Sequence, residues 1–294
     1  MKILITGGSG LLGQYLNLQL AKNNEILTLY NSNIGNCKDF NAAKVDITDK
    51  EKFKEIFSSF KPEVVIHTAA VSNPNIASKL SSKDVYNTNV NTTKNIAELC
   101  EKFNSKLIYT STDLVYAGYR GSMLVEEGKL IPVSIYPETK LMGEVKIQEI
   151  FDNYIILRTA LMYGFGLNHS KCHFHEMYNN LKEGNKVKLF TDQFRTPLAL
   201  HDATKMISEL IQKEIKNEII NFGGPERVSR FQLGEKLCEI ASLDKNLLVP
   251  ISMNDIPGMP QVADVSMNTE KLQSFGIQQK NIDECLSQIV KNTI

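Results

Sequence analysis

The chain opens on Lys2-Ile3-Leu4-Ile5-Thr6, an apolar run of strand length, and changes character at once afterwards. Gly7, Gly10 and Gly13 follow at G-x-x-G-x-x-G spacing, and Leu12, Leu16 and Leu20 then recur every four residues. A strand, a glycine turn and an amphipathic helix in that order leave few folds open. Glycine allows the tight turn and lets a ligand approach the backbone, and the third glycine lets the helix pack closely on the strand. A helix starting near Leu11 points its free N–H groups at any anion held by the turn. Gly7, Ser9, Gly10, Leu11, Leu12 and Gly13 are therefore the candidate positions for cradling the pyrophosphate of a dinucleotide.

The alternation continues through the first half. Strands are expected over 26–30, 64–67, 106–110 and 154–158. Helices are expected over 11–22, from the capping box of Thr48 and Glu51 to about residue 60, over 85–103, and from Pro137 to about residue 151. Continuous apolar strands joined by helices indicate a parallel sheet covered on both faces, that is, a Rossmann-type, doubly wound α/β domain. After about residue 165 the rhythm becomes irregular. Helices over 174–182 and 202–213, a short strand over 219–222, a capping box of Ser229 and Gln232, and a stretch punctuated by Pro250, Pro257, Gly258 and Pro260 read as a smaller C-terminal lobe. The expected division is 1–165 for the dinucleotide-binding domain and 166–294 for a substrate-binding lobe. The two are interleaved, the strand near 219–222 returning to the main sheet.

Composition excludes several classes. With 294 residues, 42% of them apolar and 22% charged, the chain is long enough for a sizeable core without disulfides or structural metals. Its 33 basic and 33 acidic residues give a formal net charge of zero, so neither nucleic acid nor an anionic membrane is an expected partner. No apolar run approaches membrane-span length, and the opening residues hold too short an apolar stretch for a secretory signal. Cys37, Cys100, Cys172, Cys238 and Cys285 are odd in number and scattered, which reads as reduced thiols in a cytoplasmic protein.

The end of the second strand carries cofactor choice. NAD-binding domains of this type place an acid there for the ribose 2′-hydroxyl. This chain has Tyr30-Asn31-Ser32-Asn33, with neither acid nor arginine, and the nearest cation is Lys38. NADP and NAD both remain open, and the missing carboxylate tilts the expectation towards NADPH.

Two later segments carry hydroxyl and amine chemistry. Ser111-Thr112-Asp113 closes a strand, and Tyr136 and Lys140 lie four apart at the start of a helix, on one face. An ammonium beside a phenol favours phenolate, so Lys140 is expected to lower the Tyr136 pKa and make it a usable general acid. His169, Cys172, His173 and His175 cluster in sequence, but at no familiar metal-site spacing, so no metal is expected. His67 ends a strand and reads as a packed histidine. Tyr163-Gly164-Phe165-Gly166 follows another strand and is a candidate cofactor or substrate contact.

The glycine loop, Asp46-Ile47, His67-Thr68-Ala69-Ala70, Asn89-Val90-Asn91, Ser111 to Tyr116, Tyr136 to Glu144 and Asp192-Gln193-Phe194-Arg195-Thr196-Pro197 together resemble the extended short-chain dehydrogenase/reductase superfamily. The likeness runs over essentially the whole chain. Within the superfamily it is most similar to the dTDP-4-dehydrorhamnose reductases and their sister group, the β regulatory subunits of methionine adenosyltransferase. The resemblance implies catalytic roles for Thr112, Tyr136 and Lys140. It implies cofactor contacts from Asp46, Ile47, Ala69, Ala70, Asn89, Tyr136 and Lys140, and a substrate-lobe position for Arg195, with Tyr163 as a further substrate candidate. Two departures stand out. Tyr136 is followed by Pro137 where these reductases have glycine, and Met259-Pro260 stands where they tend to carry Arg-Pro, which leaves sugar specificity open. The implied activity is reduction of the C4 ketone of a nucleotide-linked 4-keto-6-deoxy sugar. An epimerase or dehydratase, or a non-catalytic NADP-binding subunit, are the alternatives; Asp113 without a following glutamate argues against a dehydratase. As to assembly, a homodimer stays open.

Overall fold

The apolar runs of the first half become parallel strands because each is buried on both faces. In β1 (Lys2–Thr6), Ile3 and Ile5 face one core and Leu4 the other, the period-two alternation of a strand between two helix layers. The structure, a computed structural model, describes residues 1–72, 74–258 and 260–291, and of residues 74 and 75 the backbone alone. Met259 lies outside the described residues.

After β1 come α1 (Leu11–Leu20), β2 (Glu25–Tyr30), β3 (Ala42–Lys44), α2 (Lys50–Phe60) and β4 (Val64–His67). Then follow α3 (Thr92–Phe103), β5 (Lys106–Thr112), α4 (Ile135–Ile150) and β6 (Tyr154–Thr159). The second half adds α5 (His173–Lys182), α6 (Leu200–Leu210), β7 (Glu218–Phe222), α7 (Arg230–Ala241) and α8 (Ile282–Lys291). The seven strands form one sheet in the order β7-β6-β5-β4-β1-β2-β3, every pair parallel. The chain winds outward from β1 to β3, then starts again at β4 and winds the other way. The carboxyl ends of β1 and β4 therefore flank the switch point, where this architecture opens its crevice.

One face of the sheet packs on α1 and α6 and the other on α2, α3 and α4. Residues after β6 supply both a second core and the last strand of the main sheet: β7 pairs with β6 from Glu218 opposite Ile155 to Phe222 opposite Thr159. The second core gathers Phe174, Met177, Leu181, Leu233, Leu237 and Leu286 from α5, α7 and α8. Short strand pairs, such as Val187–Phe190 with Leu248–Ile251, complete that lobe. Among the described residues no helix is long and apolar enough to cross a membrane.

Two helix starts differ from the sequence expectation. Asp49 rather than Thr48 caps α2, accepting from the Lys52 backbone N–H at 3.1 Å. Thr48 is engaged elsewhere, its N–H and hydroxyl both bonded to Asp46 Oδ1 at 2.9 and 2.7 Å. The helix expected over 85–103 is present but starts earlier, at Ser82, and passes without a break through a wide π-type turn, Asn87–Asn91, into α3. The Thr92 hydroxyl bonds the Asn87 carbonyl at 3.2 Å and the Thr93 hydroxyl the Asn89 carbonyl at 2.7 Å, local competition of the kind that widens a helix.

Candidate active site

A cleft of about 700 Å³ runs along the carboxyl edge of the sheet. Its walls include Gly7, Ser9, Gly10, Leu11, Leu12, Gly13, Asp46, Ile47, Ala69, Ala70, Tyr136 and Lys140.

The glycine-loop end is shaped by backbone. Gly7 holds a left-handed φ of +68°, and a Cβ there would lie 2.8 Å from the Ala69 nitrogen. The Gly10 N–H donates to the Gly7 carbonyl at 2.9 Å. Gly10 then caps α1 in extended conformation with no side-chain hydrogen bond, and no acid occupies the first turn. The first N–H groups of α1 thus lie at the cleft without a side-chain cap, which suits an anion. A Cβ on Gly13 would collide with the Gly7 carbonyl, and one on Gly8 with the Thr28 hydroxyl, so two glycines serve packing. A cradle that only glycine permits, ending on an uncapped helix, fits a dinucleotide pyrophosphate.

The other end is made of side chains. β5 delivers Ser111 and Thr112, and α4 delivers Tyr136 and Lys140. The Tyr136 phenol stands next to Thr112, whose hydroxyl donates to Asp113 Oδ1 at 3.2 Å. Thr110 and Ser111 reach the cleft wall, with buried Thr112 just behind them. Burial pushes the Tyr136 phenol up to about 12; the Thr112 hydroxyl opposes this and the Asp113 charge adds to it. Lys140 is buried with its ammonium 4.0 Å from the centre of the Tyr109 ring. Burial pulls its pKa down to about 7, against the Glu144 charge. The expected acidification of Tyr136 is therefore reversed. Desolvation keeps the phenol protonated and instead brings Lys140 close to neutrality.

A buried polar chain that sequence reasoning missed supports this end. Ser111 Oγ bonds Glu144 Oε1, and Glu144 pairs with Arg158 Nη2 at 2.9 Å. Arg158 Nη1 donates to the Tyr116 hydroxyl at 3.0 Å, and that hydroxyl donates to Asn221 Oδ1 at 2.7 Å. One signal was available: Glu144 follows Lys140 by four residues and so shares its helical face. Asn89, expected at the cofactor, stands one layer back. It accepts from the Val71 N–H at 2.8 Å and donates to Thr139 Oγ1 at 3.0 Å, tying the loop after β4 to α4.

The second lobe brings Arg195 to Asp113, Nε to Oδ2 at 3.5 Å, both side chains buried beside Thr112. Burial raises the Asp113 carboxyl despite Arg195, and lowers Arg230, which faces Arg195, to about 10. Tyr163 does not reach the cleft. It lies in the second core, 5.6 Å from the Phe174 ring, while its neighbour Met162 lines the cleft wall. The pleat turns successive side chains to opposite faces, and the expectation fell one residue out of register. His67 is packed, its ring nitrogens 2.7 Å from Thr6 Oγ1 and 3.1 Å from Thr93 Oγ1, with burial and then Lys140 lowering its pKa to about 3. The His-Cys cluster disperses: His169 lines the cleft, Cys172 Sγ donates to the Gly164 carbonyl at 3.1 Å, and His175 Nδ1 accepts from the Gly166 N–H at 3.3 Å.

A family model described as the RmlD substrate binding domain matches residues 1–294. A dTDP-4-dehydrorhamnose reductase of Aggregatibacter actinomycetemcomitans is 28% identical over 303 residues, covering 98% of each chain. Methionine adenosyltransferase 2 subunit beta of Xenopus laevis is 25% identical over 95% of this chain and 84% of its own. The crystal structure of dTDP-4-dehydrorhamnose reductase from Bacillus anthracis in complex with NADP superposes with a TM-score of 0.86 at 24% identity, covering 99% of both chains.

Proposed function

Because this chain belongs to the RmlD substrate-binding domain family, we propose that it is an NAD(P)H-dependent oxidoreductase that reduces the C4 ketone of a nucleotide-linked 4-keto-6-deoxy sugar. The observation that carries the reading is the meeting of Tyr136, Thr112 and Lys140 at one end of a cleft whose other end is a glycine-built anion cradle. The curated reductase that shares 28% of its residues supports the sugar class.

When bound, a reduced nicotinamide dinucleotide supplies the hydride. Gly7, Gly10 and the uncapped start of α1 would hold its pyrophosphate, and Tyr30, Asp46, Ile47 and Ala69 line the wall on the adenosine side. Tyr136, kept protonated by burial, donates its proton to the ketone oxygen as negative charge develops there. Thr112 hydrogen-bonds the same oxygen and orients the phenol. Lys140, with a pKa near 7, returns a proton to Tyr136 for the next turnover. Arg195 and Asp113 join the second lobe to the catalytic strand, so the substrate is held against Thr112. With five cysteines that form no disulfide, the reading is of a cytoplasmic enzyme.

The matches to methionine adenosyltransferase β subunits favour a second reading, a cofactor-binding regulatory subunit. One assay separates the two. The purified protein is given NADPH and a panel of nucleotide-linked 4-keto sugars, and loss of reduced-nicotinamide absorbance is followed. Turnover with at least one sugar is expected. Tight NADPH binding with no turnover across the panel would overturn the reductase reading in favour of the subunit.

A further inference from the structure

The phosphate end of the cleft is short of positive charge. Among the described residues of its wall, only Lys140 and His169 have side chains that can carry it, and Lys140 stands at the catalytic end over Tyr109. The wall after β2 is Tyr30, Asn31, Ser32 and Asn33, all uncharged.

His169 comes from the other lobe, on a loop that is stitched to the glycine turn. Gln14 of α1 donates to the Leu167 carbonyl and to Ser170 Oγ, both at 2.9 Å, and accepts from Asn168 Nδ2 at 2.6 Å. Ser170 Oγ donates to the Ser9 carbonyl at 3.3 Å, and the Tyr15 hydroxyl to the Phe165 carbonyl at 2.7 Å. The same Gln14 Oε1 accepts from the Asn36 N–H at 3.0 Å, so one side chain joins α1, the turn after β2 and the histidine loop. That turn pivots on Gly35, at φ +52°. A Cβ there would lie 2.8 Å from Gln14 Oε1, so the turn closes tightly on that side chain, and at 3.4 Å from His169 Cε1 it would stand in ordinary contact with the imidazole, which therefore packs beside this turn. His169 is thus fixed between Ser9 of the glycine loop and the segment that follows β2, and its exposed ring faces the cleft.

We infer that His169 is a phosphate ligand, and that the phosphate it takes is the one on the adenosine ribose 2′-oxygen of NADPH. The inference rests on the dinucleotide reading above. In this fold the ribose 2′-position is read at the end of the second strand, where an acid selects NAD and a cation takes the extra phosphate. Here the strand end supplies neither, and the cation-capable side chain arrives from the second lobe, with Ser9, Asn31, Ser32 and Asn33 as further neutral donors in the same cleft. A histidine N–H to a phosphate oxygen is a charge-assisted bond.

The test is cofactor titration by fluorescence with NADPH and with NADH, on wild type, His169→Ala and His169→Arg, with circular dichroism to show that each is folded. His169→Ala is expected to lose roughly tenfold in NADPH affinity with NADH affinity unchanged, and His169→Arg to regain or exceed wild-type NADPH affinity. An equal loss for both nucleotides would place the contact on the shared pyrophosphate and overturn the assignment. No change for either would overturn it as well. Wild-type protein binding neither nucleotide would bring down the dinucleotide reading itself, an outcome distinct from these.

Discussion

The two ends of the cleft solve their tasks with different materials. At the glycine-loop end the shape is made by backbone, at Gly7, Gly10 and the uncapped first turn of α1, and the wall beyond β2 is uncharged. At the other end the working groups are side chains largely withdrawn from water, Lys140 buried and Tyr136 half-buried on the cleft wall, with Tyr136 raised to about 12 and Lys140 lowered to about 7 by desolvation. A backbone site works by leaving room, so a substitution acts there through sterics and on binding. A desolvated side-chain site works through protonation, so a substitution acts on rate and on pH dependence. Each prediction below bears on that division.

Tyr136→Phe has the largest expected effect. It keeps the ring and removes the one proton donor, so kcat should fall by roughly 10²–10⁴-fold. Cofactor affinity should hardly move, because the phenol acts at the reacting oxygen. Steady-state kinetics beside a cofactor titration checks both halves. Full activity in the variant would remove Tyr136 from the mechanism, and a large loss of cofactor affinity would blur the division between the two ends.

Glu144→Ala tests whether the side-chain end also holds the fold together. Its carboxylate bonds Ser111 and pairs with Arg158, both partners buried. Removing it leaves a buried guanidinium without its counter-charge, a change that costs about 3–5 kcal/mol. Denaturant unfolding measures this. A loss under about 1 kcal/mol, in the range of an exposed ion pair, would mean that water reaches Arg158.

How far the sequence revealed these two ends follows from the range of the interactions. The glycine end was legible because its signals are local: a strand, three glycines and a helix within twenty residues. The Ser229–Gln232 capping box, both bonds of which form at the start of α7, was legible for the same reason. So was the Tyr136–Lys140 pair, since four residues on a helix fix a shared face. The support behind them was not. Gln14 reaches Leu167 and Ser170, and Tyr116 reaches Asn221, across more than a hundred residues, and no local pattern marks such pairs. Near misses of one residue, Thr48 for Asp49 and Tyr163 for Met162, arise where neighbouring residues compete for one role or alternate across a pleat. The Tyr136 pKa was misjudged in sign because spacing shows the ammonium nearby but not the desolvation that outweighs it.

Gly10→Val probes the backbone end. A Cβ at Gly10 meets only the Gly7 carbonyl, at 3.1 Å, a tight contact that a small shift relieves. The variant should fold, yet place a branched side chain at the uncapped start of α1. Loss of more than about tenfold in affinity for both NADPH and NADH is expected, equivalent to at least 1.4 kcal/mol. Gly13→Val should instead fail in folding, since its Cβ would run into the Gly7 carbonyl from within the helix–strand contact. Thermal melts and titrations on the pair distinguish room for a ligand from room for packing. Wild-type affinity in a folded Gly10→Val protein would show that the loop holds no phosphate.

The most direct reading of desolvation is the pH dependence of stability. Lys140 titrates near 7 in the fold against an ordinary value of 10.5. Between those two values the unfolded chain holds a proton that the native chain does not, so Lys140 makes stability rise with pH across that window. Below about 7 both states are protonated, and the fold carries the full cost of a buried ammonium. Lys140→Met keeps an unbranched apolar stem and removes the charge. Its stability relative to wild type should therefore be highest at and below about pH 7, and should decline as pH climbs towards 10.5. Other titrating groups are common to both proteins, so the difference between the two curves isolates Lys140 and its coupling to Glu144. Denaturant unfolding of both proteins in the absence of cofactor, at several pH values across the window, supplies the curves. A difference that stays flat with pH would mean that Lys140 keeps its ordinary pKa, and the side-chain end would then lose the near-neutral amine on which its proton return depends.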